Sequence, residues 1–150
     1  ALEAMFVEEY GPLRAEIAPL AVARPFLETC AARGWPVFIA STVDPQTYHS
    51  QMARFDLARF VQKAYVGIVD KTEAIHQILE ENELDRRETI FVGDMEHDLE
   101  AGRAGGVQTC AVLSGYTLEE PLRAMEPDWL CAHVGELQEI LCGQDCHPRA

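Results

Sequence analysis

The fold is decided by residues 89–116, which read TIFVGDMEHDLEAGRAGGVQTCAVLSGY. This stretch predicts a short buried strand, a turn, a helix and a second strand. The continuous apolar run 90–92 is typical of a strand that is covered on both faces. Gly93 permits a sharp turn after that strand, and Asp94 is predicted to cap the helix that follows.

Asp94 and Asp98 are four residues apart, which places both carboxylates on the same side of the first helical turn. Like charges at this spacing repel each other by about 0.2–0.5 kcal/mol, and the positive end of the helix dipole offsets part of that repulsion. A divalent cation would remove it. The spacing alone leaves two interpretations open: a helix cap beside one solvated aspartate, or a metal site.

Length and composition limit the classes of protein that need to be considered. The 150 residues predict one domain, residues 1–150, with a substantial core. No apolar run approaches the roughly 20 residues of a membrane span, and the amino terminus is acidic where a signal peptide would be basic. The net charge of −13 would repel phosphate backbones, so neither a membrane nor a nucleic acid is an expected partner.

Five cysteines are scattered along the chain at Cys30, Cys110, Cys131, Cys142 and Cys146. Three of them lie in apolar segments, which indicates small hydrophobic side chains in a reducing, cytoplasmic setting rather than a disulfide framework. The tail, residues 142–150, also contains His147 beside the last two cysteines. A structural zinc site needs four ligands and His133 is the only further candidate, so no metal role is expected for the tail.

Helical and strand patterns alternate along the chain. Helices are predicted over residues 1–22, 25–34, 45–54, 118–125 and 134–141, and two more begin near Asp70 and Asp94, the latter ended by Gly105-Gly106. Pro25 and Pro45 suit the first helical position, Asp44 an N-cap and Gly34 a helix end. Strands are predicted over residues 36–40, 61–68, 90–93, 107–113 and 129–132. This alternation predicts an α/β fold with a doubly wound parallel sheet and helices on both faces.

Three polar clusters follow predicted strands, at the sheet edge where ligands bind in such folds: Ser41-Thr42, Lys71, and Asp94 with Asp98. Hydroxyl groups donate to phosphate oxygens, an ammonium supplies positive charge, and carboxylates hold Mg²⁺. Each cluster has a simpler interpretation, since Ser41-Thr42 can start a turn and a lone lysine is usually solvated. Their convergence on one edge favours a site for a phosphate group and a magnesium ion.

The same residues resemble the motifs of the haloacid dehalogenase superfamily, especially its phosphoglycolate phosphatase-like and β-phosphoglucomutase-like members. Residues 38–42, a hydrophobic strand ending in Ser-Thr, look like the second motif. Lys71 looks like the third-motif lysine, although Thr72 follows it where that branch usually has proline. Residues 92–98 look like the fourth motif, Gly-Asp-x-x-x-Asp, and the likeness extends over about residues 20–141.

The resemblance implies a Rossmann-like core and a magnesium-dependent phosphatase that works through an aspartyl-phosphate. It implies that Ser41 holds phosphoryl oxygens, with Thr42 beside it, and that Lys71 neutralises charge on the nucleophile and the phosphate. It also implies that Asp94 binds Mg²⁺ directly, while Asp98 supports either the metal or Lys71. The implied substrate is a small phosphorylated metabolite.

The resemblance departs from the family pattern at the first motif, an apolar strand ending Asp-x-Asp that supplies the nucleophile. The acids of residues 1–40 are Glu3, Glu8, Glu9, Glu16 and Glu28, and none of them ends an apolar strand. In the family this strand lies between the Ser41 strand and the Asp94 strand. Without it those two strands would lie about 10 Å apart with unpaired backbone groups. Residues 1–22 would then be the remnant of a cap whose larger part is missing.

Two functions are consistent with this pattern. The chain is the carboxyl-terminal part of a phosphatase, inactive alone because serine and lysine cannot replace a carboxylate nucleophile. Alternatively, it is a non-catalytic derivative that binds phosphate, a metal or a partner. In either case a second copy of the chain, in a homo-oligomer, could supply the missing strand.

Overall fold

The computed structural model describes residues 19–144, in which helices and strands alternate as predicted. The helices are α1 (Ala23–Ala32), α2 (Pro45–Arg54), α3 (Lys71–Glu81), α4 (Glu96–Ala104), α5 (Glu119–Ala124) and α6 (Val134–Gln144). The strands are β1 (Phe38–Ala40), β2 (Lys63–Tyr65), β3 (Ile90–Gly93), β4 (Gln108–Val112) and β5 (Trp129–Cys131). Residues 1–18 of the helix predicted over 1–22 and the Cys146-His147 pair of the tail lie outside the described residues, while residues 19–22 are described and are not helical.

The strands form two parallel groups. β1 pairs with β2, and β3, β4 and β5 pair in that order. Within residues 19–144 no strand pairing joins β1 to β3, and the sheet is therefore divided where the resemblance places a missing strand. Parallel strands alternating with helices confirm the predicted α/β fold.

Helices cover both faces of the strands. On one face, helices α1, α2 and α6 pack against Ile39 of β1 and Val112 of β4 in a cluster that includes the fully buried Leu57. On the other face α3 and α4 pack against Ala40 of β1 and Phe91 of β3. β1 and β3 are thus linked by shared apolar clusters on both faces. Each fully buried leucine in them contributes about 1.5–3 kcal/mol to the free energy of unfolding.

Two helix starts follow their local sequence. Asp44 Oδ1 accepts a hydrogen bond of 2.9 Å from the Thr47 backbone N–H, and Pro45 is the first residue of α2. The Asp70 side chain caps α3 in the same way, through the backbone N–H of Thr72. The Asp44 cap was predicted, whereas for α3 only a helix start near Asp70 was predicted, and the structure adds the cap.

Several predicted boundaries differ from the structure, and three of them are informative. α1 begins at Ala23, which makes Pro25 its third residue rather than its first. Asp94 does not cap α4, which begins at Glu96 after Met95, because the Asp94 side chain accepts a hydrogen bond from a distant loop instead. β2 ends at Tyr65, because the next backbone N–H groups donate to carbonyl groups in the loop after β1.

The cysteines at positions 30, 110 and 131 are buried and unbridged, as the sequence predicts. Burial raises the pKa of the Cys30 thiol to about 11, so the thiol is protonated near neutral pH. Among residues 19–144, no helix combines the length and the apolar character that crossing a membrane requires.

Candidate active site

The carboxyl ends of the strands place four of the predicted site residues in buried positions. Ser41 follows β1, Asp94 follows β3, and Lys71 and Asp98 lie in the first turns of α3 and α4. Their relative exposures are 1% for Ser41, 9% for Lys71, 2% for Asp94 and 0% for Asp98. With Thr109 they are the five buried polar or charged residues in the described part of the chain. Because burying such groups is costly, each of them needs a compensating partner.

Lys71 and Asp98 compensate each other in a buried ion pair, with 2.7 Å between Lys71 Nζ and Asp98 Oδ1. Lys71 is the first residue of α3, where its charge opposes the positive end of the helix dipole. Asp98 is favoured in the first turn of α4, and its Oδ2 accepts a 3.2 Å hydrogen bond from the Met95 N–H. Neither side chain is the solvated surface group that the simpler interpretation required.

The ion pair also affects the ionisation of Asp98. Burial by itself would raise the pKa of the Asp98 carboxyl, since desolvation disfavours the charged form. The charge and the hydrogen bond of the Lys71 ammonium act in the opposite direction, and the pKa of Asp98 lies below its ordinary value. Asp98 is therefore a carboxylate at neutral pH.

Gly93 allows Asp98 to lie against the end of β3. A Cβ atom at position 93 would lie 2.2 Å from Asp98 Cβ and 2.6 Å from Asp98 Oδ2, and no larger residue fits without moving the carboxylate. The sequence assigned Gly93 only to the sharp turn. Its second role arises from packing between two segments and has no local signal.

Asp94 has one engaged and one unpaired oxygen. Oδ2 accepts a 2.7 Å hydrogen bond from the Tyr116 backbone N–H, in the loop after β4. Oδ1 is buried and has no hydrogen-bond partner in the described structure. An unsatisfied buried polar atom costs about 1–3 kcal/mol, and more for a charged group, which indicates that a ligand belongs beside it.

A divalent cation fits this unpaired carboxylate oxygen. Hard cations take oxygen ligands, and Mg²⁺ commonly binds one or two carboxylates while keeping several waters and substrate phosphate oxygens. No group of three or more His, Cys, Asp or Glu side chains within residues 19–144 could form a complete protein cage. The donor set therefore suits Mg²⁺ bound through Asp94 better than a structural zinc ion. Asp98 uses its two oxygens on Lys71 and Met95, the arrangement in which it supports the lysine.

Ser41 is oriented by its backbone and its side chain. Its N–H donates to the Tyr65 carbonyl over 2.9 Å, and its Oγ accepts a 2.9 Å hydrogen bond from the Val43 N–H. The hydroxyl proton is left to donate to an acceptor such as a phosphoryl oxygen. Thr42, the second predicted phosphate ligand, is exposed.

The loop at residues 114–116 was not among the predicted site residues, although it contacts Asp94. A Cβ atom at Gly115 would lie 2.1 Å from Asp94 Oδ2 and 2.4 Å from Asp94 Cγ. The sequence signal that could have found it is a Ser-Gly-Tyr run directly after a buried strand, at the same sheet edge as the carboxylates.

Comparison with known proteins identifies the group to which this arrangement is similar. Residues 71–137 match a family model described as HAD-hydrolase-like. This segment contains Lys71, Asp94, Asp98 and the 114–116 loop.

Two curated relatives are named as a 5′-nucleotidase and as a phosphoglycolate phosphatase. The chain is 30% identical over 121 residues to a 5′-nucleotidase of Pseudomonas aeruginosa, which covers 77% of this chain and 54% of the nucleotidase. It is 36% identical over 55 residues to a phosphoglycolate phosphatase of Haemophilus influenzae, which covers 37% of this chain and 25% of that protein. The chain thus spans about half the length of the nucleotidase.

A solved structure supports the fold. A haloacid dehalogenase-like family hydrolase from Streptococcus pneumoniae matches with a TM-score of 0.76 at 22% identity, over 84% of this chain and 61% of that one. Identity at this level shows a shared fold and not a shared substrate.

Proposed function

The chain has the haloacid dehalogenase-like fold and is a relative of that family's hydrolases, and we propose that it is the metal- and phosphate-binding part of a phosphate monoester hydrolase. One observation carries the proposal: a buried carboxylate oxygen, Asp94 Oδ1, has no partner among residues 19–144 and lies at the same sheet edge as the buried Lys71–Asp98 ion pair. A purely structural site has no need of an unpaired buried charge.

The side chains have distinct roles in this proposal. Asp94 would hold Mg²⁺ through Oδ1, and Lys71 would place positive charge near the phosphoryl oxygens and the nucleophile. Asp98 orients the Lys71 ammonium, and the Ser41 hydroxyl would donate to a phosphoryl oxygen, with Thr42 as a second, exposed donor. When bound, Mg²⁺ supplies Lewis-acid stabilisation of charge on the transferring phosphoryl group.

The nucleophile is proposed to come from outside residues 19–144. An aspartyl-phosphate mechanism needs a carboxylate that can attack phosphorus. Asp98 is paired with Lys71, and Asp44 and Asp70 cap helices α2 and α3. We therefore expect residues 19–144 to bind Mg²⁺ and phosphate analogues without hydrolysing phosphate esters.

A non-catalytic binding protein is the second candidate, because Asp98, Asp44 and Asp70 are each committed to another partner and Asp94 is the proposed metal ligand. Neither candidate expects turnover from residues 19–144 alone, so hydrolysis of p-nitrophenyl phosphate with Mg²⁺ by the full-length protein separates the two. Turnover that Asp94→Asn abolishes would exclude the non-catalytic function. Binding of vanadate with no turnover, weakened about tenfold or more in Lys71→Ala, supports a site that lacks its nucleophile. Unchanged vanadate affinity in Lys71→Ala would refute the phosphate site.

A second copy of the chain is a candidate source of the absent strand, since no pairing joins β1 to β3 among the described residues. Such a homo-oligomer would build one site from two chains. Sedimentation equilibrium at micromolar concentration tests this: an oligomer that gains phosphatase activity on association supports it, and a strict monomer contradicts it.

The proposed substrate is a small phosphorylated metabolite, since the curated relatives are named for a 5′-nucleotide and for phosphoglycolate. Activity of the full-length protein against a panel of phosphate esters tests the substrate class.

The proposed location is the cytoplasm, because three buried cysteines are unbridged.

A further inference from the structure

We propose that residues 114–116, the Asp94 clamp, position the Asp94 carboxylate so that Oδ1 is its single cation-binding atom. This inference rests on the proposed function, because it takes Asp94 to be a cation ligand. The new element is that Asp94 binds the cation through one oxygen only, and that Gly115 and the Tyr116 backbone N–H determine which oxygen that is.

The first part of the clamp is a hydrogen bond to a charged acceptor. The Tyr116 N–H donates to Asp94 Oδ2 over 2.7 Å, a bridge between positions 22 residues apart in the chain. Hydrogen bonds to ionised groups are short and about twice as strong as neutral ones. Because Oδ2 is engaged, the carboxylate cannot rotate about its Cβ–Cγ bond without losing this bond.

The second part is the close approach of Gly115. An added Cβ would lie 2.1 Å from Oδ2, 2.3 Å from Cβ and 2.4 Å from Cγ of Asp94. Distances below 3.0 Å cannot be accommodated by the buried Asp94 side chain unless it moves. The absence of a side chain at Gly115 therefore leaves the space that the Asp94 carboxylate occupies, and a larger residue would displace the carboxylate.

The clamp is anchored on both sides by buried structure. Before it, Leu113 donates its backbone N–H to the Cys131 carbonyl over 2.9 Å, which continues the pairing of β4 with β5. After it, Leu122 of α5 is fully buried and packs in one cluster with Leu99 of α4. Packing of α5 against α4 therefore ties β4 and the clamp to α4, which begins just after Asp94.

The Tyr116 side chain is not part of the clamp, since it is 68% exposed. The backbone N–H alone contacts Asp94. This separation provides a sharp test, because substitutions at one position can remove either the side chain or the N–H.

The experiment measures Mn²⁺ affinity by isothermal titration calorimetry in the full chain and in pairs of variants. Gly115→Ala should weaken Mn²⁺ binding by about tenfold or more, the usual effect of disturbing a group that orients a metal ligand. Gly143→Ala is the matched control, because a Cβ there meets no described atom within 4 Å. Tyr116→Pro removes the N–H and should weaken binding similarly, whereas Tyr116→Ala keeps the N–H and should bind as the wild type does.

Hydrogen exchange of the Tyr116 amide, followed by NMR, tests the clamp without a metal. Protection in the wild type that is lost in Asp94→Ala is the expected result. An amide that is unprotected in the wild type would overturn the clamp. Near-ultraviolet circular dichroism establishes which variants are folded, and if Gly115→Ala is unfolded, the Tyr116 pair decides.

The outcomes separate this inference from the proposed function. If Asp94→Asn abolishes Mn²⁺ binding while folded Gly115→Ala and Tyr116→Pro bind as the wild type does, the clamp is wrong and the cation site stands. If the wild type binds no Mn²⁺, the cation role of Asp94 is refuted, and the inference falls with it.

Discussion

Lys71 and Asp98 differ from the other ion pairs of the described chain by their burial. The side chains of this pair are 8% and 0% exposed, whereas those of Lys63 and Glu81 are 51% and 39% exposed. An exposed pair contributes about 0–1 kcal/mol to stability, while a buried ion that loses its partner costs about 3–5 kcal/mol. Replacing Lys71 should therefore lower the free energy of unfolding far more than replacing Lys63.

We therefore expect Lys71→Ala to lower the free energy of unfolding by about 3–5 kcal/mol and Lys63→Ala by about 1 kcal/mol or less. Urea unfolding at pH 7 measures both. Lys71→Ala combined with Asp98→Ala should cost less than the sum of the single variants, because no charge is then left buried alone. Equal effects at Lys63 and Lys71 would contradict the compensation of charge described for the site.

The lowered pKa of Asp98 predicts how this stabilisation depends on pH. A carboxyl whose folded pKa lies below its ordinary value of 3.8 binds more protons in the unfolded state. Its contribution is therefore complete above about pH 5 and is lost as the pH falls through the folded pKa. Asp98→Asn should flatten the dependence of stability on pH below pH 4, measured by thermal unfolding between pH 2 and 7.

At the scale of the elements, Glu81 ties the last turn of α3 to the edge strand β2. Its Oε2 accepts hydrogen bonds from Lys63 Nζ at 3.0 Å and Tyr65 Oη at 2.7 Å, and its Oε1 accepts one from Gln77 Nε2 at 2.7 Å. The Gln77, Tyr65 and Lys63 hydrogen bonds lower the pKa of Glu81 to about 2. Glu81 thus links α3 to β2 through two of its three donors, beside a hydrogen bond from Asn82 Nδ2 to Tyr65 Oη.

Glu81→Gln should destabilise the protein at pH 7, because an amide accepts through one oxygen only and carries no charge. Its exposed neighbour provides the control, since Glu80→Gln removes the same charge from the same helix. The difference between the two variants should persist at pH 5 and shrink as the pH falls towards 2, where Glu81 takes up its proton. A constant difference over that range would show that the charge of Glu81 contributes nothing.

The sequence predicted elements whose signals are local and missed those that depend on distant partners. The start of α2 was predictable because Asp44 and Pro45 act on adjacent backbone. The start of α4 was not predictable, because the Asp94 side chain accepts a hydrogen bond from the Tyr116 N–H instead of capping the helix. The place of Lys71 at the sheet edge was predicted from its position after a strand, whereas its burial and the close packing of Gly93 and Gly115 against aspartate side chains depend on contacts that only the folded chain forms.

At the scale of the whole molecule, the unpaired Asp94 oxygen predicts that a cation stabilises the fold. A ligand that binds only the folded state adds about 2.7 kcal/mol to the free energy of unfolding at a concentration of 100 Kd. Mg²⁺ should therefore raise the melting temperature, and chelation with EDTA should reverse the change. Asp94→Asn should be insensitive to both, and a variant that still responds to Mg²⁺ would place the cation elsewhere.

The division of the sheet has a consequence for how accurately the site is built. The register of two hydrogen-bonded strands can change only by whole residues. A shift by one residue breaks every hydrogen bond between them and moves each side chain to the opposite face of the sheet. Within residues 19–144, β1 and β3 have no such pairing between them, and packing at Ala40 and Phe91 aligns them instead. In the absence of a strand between them, the distance from Ser41 to Asp94 therefore depends on how these apolar side chains pack. Core substitutions that change a single methyl group would then tune phosphate affinity without touching any residue of the site.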